Sequence, residues 1–173
     1  TPAPKIAKDY ITNEINKNNL GYTVSLGLPA LRTKISKLYG DWYNLDLNPN
    51  RIVVTTGSSG AFILSFSALF DSGDRVGIGS PSYPSYRQIL KSLSLETVDI
   101  QTKLQNRFQP VPEDITNNNL NGILVASPAN PTGSMLDKQS LENLINTANE
   151  NDVSFISDEI YHLSLIHISE PTR

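Results

Sequence analysis

Gly122-Ile123-Leu124-Val125-Ala126-Ser127-Pro128-Ala129-Asn130-Pro131-Thr132-Gly133 carries the two signals on which the fold turns. Residues 123–126 are a short apolar run without alternation. A strand covered by helices on both faces reads this way, because no side of it meets water. The seven residues that follow hold two X-Pro bonds and a glycine, which commit the backbone to an unusual path, consistent with a cis peptide bond. The stretch therefore predicts a buried strand that ends in a rigid turn, with Asn130 pointing a neutral amide into a cleft.

Working outward, similar runs stand at residues 52–54, 76–78, 98–100 and 153–156. Helical patterns separate them. Residues 59–70 are mostly apolar, residues 84–93 are amphipathic, and Leu141, Leu144, Ile145 and Ala148 share one helical face. Residues 111–120, polar and rich in asparagine, predict a short helix and a turn. Alternating strand and helix argue for right-handed crossovers in an open, mostly parallel α/β sheet with helices on both faces. Towards the amino terminus, Ile6, Ala7, Tyr10, Ile11 and Ile15 mark one helix over residues 4–17, and Leu31, Ile35, Leu38, Tyr39 and Trp42 mark a second. The expected organisation is a helical approach over residues 1–45 and an α/β domain over residues 46–162.

Composition narrows the chemistry. A chain of 173 residues is long enough for one domain with a real core. A net charge of -3 and a pI near 5.3 supply no basic field for nucleic acid or an anionic membrane. The longest apolar stretch, within residues 61–70, is too short to span a bilayer. Thr1-Pro2-Ala3-Pro4-Lys5 lacks the charged head and apolar run of a signal peptide. With no cysteine there are no disulfides and no thiolate metal sites, which favours the cytoplasm.

Four segments at expected strand ends carry chemistry. Gly57-Ser58-Ser59 joins a strand to an apolar helix, so backbone N–H groups, hydroxyls and the helix dipole converge where a phosphate fits. A plain strand-to-helix turn would use the same residues. Tyr83, in Ser82-Tyr83-Pro84, is placed to stack on a flat heterocycle or to cover the sheet's rim. Asn130 sits in the turn described above. Asp158 ends the last run, where a largely buried carboxylate needs a cationic partner or a hydrogen-bond donor. A protonated ring nitrogen would serve, and Tyr161 could donate to a ring oxygen; the plainer alternative is an Asp that caps a helix with Tyr161 on the surface.

Taken together and in this order, Gly57-Ser58-Ser59, Ser82-Tyr83-Pro84, Asn130-Pro131-Thr132-Gly133 and Asp158-Glu159-Ile160-Tyr161 resemble the class I/II aminotransferases among the fold-type-I pyridoxal-phosphate enzymes. Tyr22, residues 27–32 and the Asp71-Ser72-Gly73-Asp74 turn add to the likeness, which runs from about residue 21 to 161. The resemblance implies part of a three-layer α/β/α large domain. It implies pyridoxal 5'-phosphate as cofactor, with an amino acid and a 2-oxo acid as substrates. Gly57, Ser58 and Ser59 would hold the phosphate, Tyr83 would stack on the ring, Asn130 and Tyr161 would bond its O3′, and Asp158 would pair with its nitrogen. Tyr22 matches a tyrosine that reaches the neighbouring subunit's phosphate, which implies a homodimer. Arg32 is expected to be structural.

The departures are as informative. The family's Schiff-base lysine has no counterpart, since no lysine follows Lys138. The family's carboxylate-binding arginine, last strands and small domain also lie beyond Tyr161. Residues 163–173 resemble the in-frame translation of a transposase adapter used to prepare sequencing libraries, with a genuine short strand and polar tail as the alternative. The expectation is a carboxyl-terminally truncated fragment that is inactive by itself. A carbon–sulfur lyase or synthase of the same fold, or the aminotransferase-like domain of a transcription regulator, would share the same four segments.

Overall fold

The computed structural model describes residues 2–17 and 21–162. The expected adapter-derived tail, residues 163–173, lies outside the described residues. The chain divides into two compact units, residues 1–55 and 56–173.

The first unit is helical. Helix α1 (Lys5–Ile15) has an apolar stripe, as expected, yet Ile6, Tyr10, Ile11 and Ile15 on it are exposed. Helix α2 (Pro29–Tyr43) starts with proline at its first turn, where the missing N–H costs nothing. It stops at Asn44, whose left-handed conformation (φ 54°) lets its N–H close onto Gly40 O at 3.0 Å. Arg32 is buried, donating from Nε to Pro49 O (3.0 Å) and from Nη2 to Asn50 Oδ1 (2.8 Å). These bonds tie α2 to the short 3-10 turn Pro49–Arg51, a structural role as expected.

Residues 52–54 correct the sequence reading. They are expected as a strand but join no ladder among the described residues; Val54 instead donates its N–H to Leu26 O at 3.0 Å. Val53 and Val54 remain partly exposed. An apolar run records a tendency to be buried, and a strand also needs a neighbour to pair with.

The second unit is a parallel sheet between two helical layers. Its strands are β1 (Arg75–Ser80), β2 (Glu96–Gln101), β3 (Gly122–Ala126) and β4 (Ser154–Asp158), in the order β2-β1-β3-β4. Each recorded pairing is parallel, with Ile78 opposite Asp99 and Leu124, and Ala126 opposite Asp158. The helices are α3 (Ser58–Leu69), α4 (Pro84–Ser92), α5 (Pro112–Asn117) and α6 (Lys138–Glu150). The expected α/β fold is present, and the predicted strands at 76–78, 98–100, 123–126 and 153–156 all form.

Strand periodicity sorts the two faces. Leu124 joins one cluster with Phe62 and Phe66 of α3, Val76 and Ile78 of β1, and Ile89 and Leu90 of α4. Its neighbours Ile123 and Val125 join the opposite cluster with Ile115 of α5 and Leu144 and Ala148 of α6. Successive strand residues point to opposite faces, so a run that is apolar throughout serves both cores at once. Gly122 opens β3 beneath the Phe70 ring, where a Cβ would overlap Phe70 Cζ.

The connections set up the cleft. Helix α4 carries the chain from β1 outward to β2 on one face. Helices α5 and α6 carry it back across to β3 and on to β4 on the other face. Direction and face change together, which keeps a single crossover hand. The reversal falls between β1 and β3, and ligands of open α/β sheets bind at the carboxyl ends beside such a point.

Candidate functional site

At those carboxyl ends lies a cavity of about 150 Å³ lined by Ser58, Tyr83, Tyr86, Ala126, Pro128, Asn130, Asp158, Ile160 and Tyr161. Strands β1, β3 and β4 contribute through their last residues or the segments that follow them. Tyr83 leaves β1 and precedes α4, whose first turn again begins with proline. Asn130 lies beyond β3 in a turn in which Ser127-Pro128 and Asn130-Pro131 are both cis. Gly133 closes this turn with a positive φ of 67°, which suits a residue without Cβ, and its N–H meets Ala129 O at 2.7 Å. Asp158 is the last residue of β4 and only 8% exposed.

The Asp158 carboxylate is held on both oxygens. Oδ1 accepts the backbone N–H of Ile160 at 3.1 Å, and Oδ2 accepts the phenolic hydrogen of Tyr86. Sequence reading named Tyr83 and passed over Tyr86, which stands three residues further on. The missed signal was helical phase: three residues along α4, Tyr86 turns inward against the sheet. Its ring meets Phe62 edge to face at 5.2 Å and Tyr83 at 5.6 Å. Burial first, and then the bond to Asp158, push the Tyr86 phenol far above its ordinary range, so it stays protonated and donates.

Five of the residues singled out from sequence, Ser58, Tyr83, Asn130, Asp158 and Tyr161, meet at this one cavity. Gly57 and Ser59 flank Ser58 at the start of α3 and are exposed. Gly57 has φ 82°, a conformation that suits a residue without Cβ, and beyond its chain neighbours nothing lies within 4 Å of where a Cβ would stand. The opening N–H groups of an α-helix have no intrahelical acceptor, so this end of the twelve-residue α3 suits an anion. Tyr22 belongs to the first unit and is fully exposed.

Chemically, the cavity offers a buried carboxylate that can take a cationic N–H. An aromatic ring, an amide and a phenol surround it, and a helix amino terminus lies on its wall. That set fits a flat, anionic heterocycle with a basic ring nitrogen, which is what pyridoxal 5'-phosphate is. Among the described residues, no cluster of three His, Cys, Asp or Glu side chains is arranged to hold a metal ion. No helix among them is long and apolar enough to cross a membrane.

Relatives carry the same architecture. The valine–pyruvate aminotransferase of Mycobacterium tuberculosis is 43% identical over 162 residues, covering 92% of this chain and 42% of that protein. An aspartate aminotransferase of Thermotoga maritima is 34% identical over 176 residues, covering 99% of this chain and 46% of the relative. Among solved structures, the crystal structure of an aminotransferase from Mycobacterium tuberculosis superposes with a TM-score of 0.91 at 42% identity. It covers 94% of this chain and 45% of that one. The chain thus spans less than half the length of the curated relatives it matches. The sequence profile for aminotransferase class I and II matches residues 2–165, nearly the whole chain. On that match and these relatives, the chain belongs to the class I and II aminotransferases.

Proposed function

We propose that the cavity binds pyridoxal 5'-phosphate and that the protein moves an amino group between an amino acid and a 2-oxo acid. The observation that carries this reading is Asp158, a carboxylate 8% exposed at the base of a cavity it shares with Tyr83, Asn130 and Tyr161. A buried carboxylate whose protein partners are two neutral donors suits a cationic N–H, and a protonated ring nitrogen is such a group.

In this reading Asp158 holds the ring nitrogen protonated, and Tyr83 covers one face of the ring. Asn130 and Tyr161 hydrogen-bond the ring's O3′. Gly57, Ser58 and Ser59 bind the phosphate at the start of α3, where backbone N–H groups and the helix dipole favour a dianion. Tyr22 reaches the phosphate of a second copy, so the working protein is a homodimer with shared sites. When bound, the cofactor supplies the electron sink that transamination needs. Residues 46–162 form part of the large cofactor domain, and residues 1–45 its helical approach. A cytoplasmic location accompanies this reading.

The test is pyridoxal-phosphate binding followed by absorbance and by quenching of protein fluorescence, in wild type and Asp158→Asn. The amide keeps the shape and loses the charge. Affinity should fall on the order of tenfold or more, as when a buried charged hydrogen bond is broken. Equal affinity in the two proteins would remove Asp158 from the site. For activity, valine with pyruvate is the first pair to assay, because the 43% identical relative is named for it.

A further inference from the structure

Gln109 stands outside the cavity just described. It comes from the connection between β2 and α5, yet it is 3% exposed and its amide reaches into the turn that carries Asn130. Nε2 donates to Ala126 O at 3.1 Å and to Ser134 O at 3.1 Å, with Ser134 Oγ at 3.3 Å. An amide nitrogen has two hydrogens, so the two carbonyls use both. Ala126 is the last residue of β3 and Ser134 the first after Gly133. One side chain therefore spans the neck of residues 127–133.

The rest of the turn hangs from that neck. Ser134 O also accepts the N–H of Ala129 at 2.9 Å, and the Ser127 N–H bonds Asp158 O at 3.2 Å. Gln109 itself is aimed by two consecutive left-handed residues, Arg107 (φ 51°) and Phe108 (φ 55°), and its own N–H closes onto Asn106 O at 2.9 Å. Non-glycine residues seldom adopt this conformation, and two in a row persist only where the surroundings hold them.

Resting on the cofactor reading above, we propose that Gln109 is the positioning residue for Asn130. Its amide clamps both ends of the 127–133 turn and so fixes the Asn130 side chain relative to Asp158. It touches no ligand and acts through the turn.

Two measurements on the full chain test this, one of them independent of cofactor. Hydrogen exchange is followed at the Ala129 and Gly133 amides in wild type, Gln109→Glu and Gln109→Met. The first variant sets an oxygen against two carbonyls; the second keeps length and bulk without a donor. Exchange at these two amides should rise on the order of tenfold, while β1 and β2 amides such as Gly77 and Ile100 keep their protection. Unchanged exchange at Ala129 and Gly133 overturns the proposal. So does loss of protection throughout β1 and β2, which would make Gln109 a support of the whole sheet.

The second measurement is a double-mutant cycle on pyridoxal-phosphate affinity with Gln109→Met, Asn130→Ala and both together. The double variant should bind no more weakly than Asn130→Ala alone, whereas Gln109→Met with Ser58→Ala should show the product of the two single losses. Multiplying losses in the pair with Asn130 overturns the positioning role. Absence of cofactor binding in wild type would sink the cofactor reading, and the exchange measurement would still decide the role of Gln109 in the turn.

Discussion

Tyr86 donates its phenolic hydrogen to Oδ2 of Asp158, joining the inner face of α4 to the last residue of β4 across 72 residues of chain. The bond lets a carboxylate sit almost out of water at a strand end. Burying a charge is costly unless it is hydrogen-bonded, and here a phenol and the Ile160 N–H at 3.1 Å meet that need from opposite oxygens. The relationship also ties the aromatic cluster of Phe62, Tyr83 and Tyr86 to the polar end of the cavity.

Removing that hydroxyl isolates its contribution. Tyr86→Phe keeps the ring against Phe62 and Tyr83 and withdraws only the donor. The expected loss is about 1.5–3 kcal/mol, the range for a hydrogen bond to a charged group. Urea unfolding at neutral pH measures it. Stability equal to wild type would mean that water replaces the phenol without cost.

The same bond should give the protein an alkaline limb. The folded phenol holds its proton well above the ordinary tyrosine range, whereas the unfolded chain releases it near pH 10. Above that pH the native state binds more protons than the unfolded state, so stability is intact below about pH 10 and falls as pH rises further. Unfolding free energies between about pH 9 and 11 should slope downward in wild type and less steeply in Tyr86→Phe. Parallel slopes would remove Tyr86 as the source.

Close approach predicts a cost at Gly122. A Cβ there overlaps the Phe70 ring, and the buried start of β3 has little room to yield. Gly122→Ala should lose about 1–3 kcal/mol, typical of overpacking. In a Phe70→Leu background the added cost should shrink, because the two sites share one space. Thermal unfolding of the four proteins checks this; additive losses would locate the strain elsewhere.

Burial alone should separate two apolar truncations. Phe66 is fully buried between α3 and the sheet, while Leu104, in the connection after β2, is 75% exposed. Phe66→Ala is expected to cost about 3–5 kcal/mol. Leu104→Ala should stay within about 0.5 kcal/mol of wild type. Similar losses from both would contradict the position of the core.

Much of the fold is legible in local sequence. The runs at 76–78, 98–100, 123–126 and 153–156 became β1 to β4 because apolar residues on both faces of a strand demand cover from both sides. The proline and glycine turns after β1 and β3 placed Tyr83 and Asn130 at strand ends for reasons that act within a few residues. The run at 52–54 misled because pairing needs a partner strand, and the window that predicts burial holds no information about one.

Sequence by itself determined the alternation of strand and helix, the turns that end the strands and the residues that stand at those ends. Their mutual geometry was decided only by the tertiary structure. That Tyr86 rather than Tyr83 bonds Asp158 follows from the phase of α4 over the sheet and from the order β2-β1-β3-β4. That Gln109 closes the Asn130 turn follows from the return of the chain from β2 across β1 to β3. Strand propensity and turn chemistry act over a few residues. A hydrogen bond between distant residues exists only once the whole sheet has closed around it.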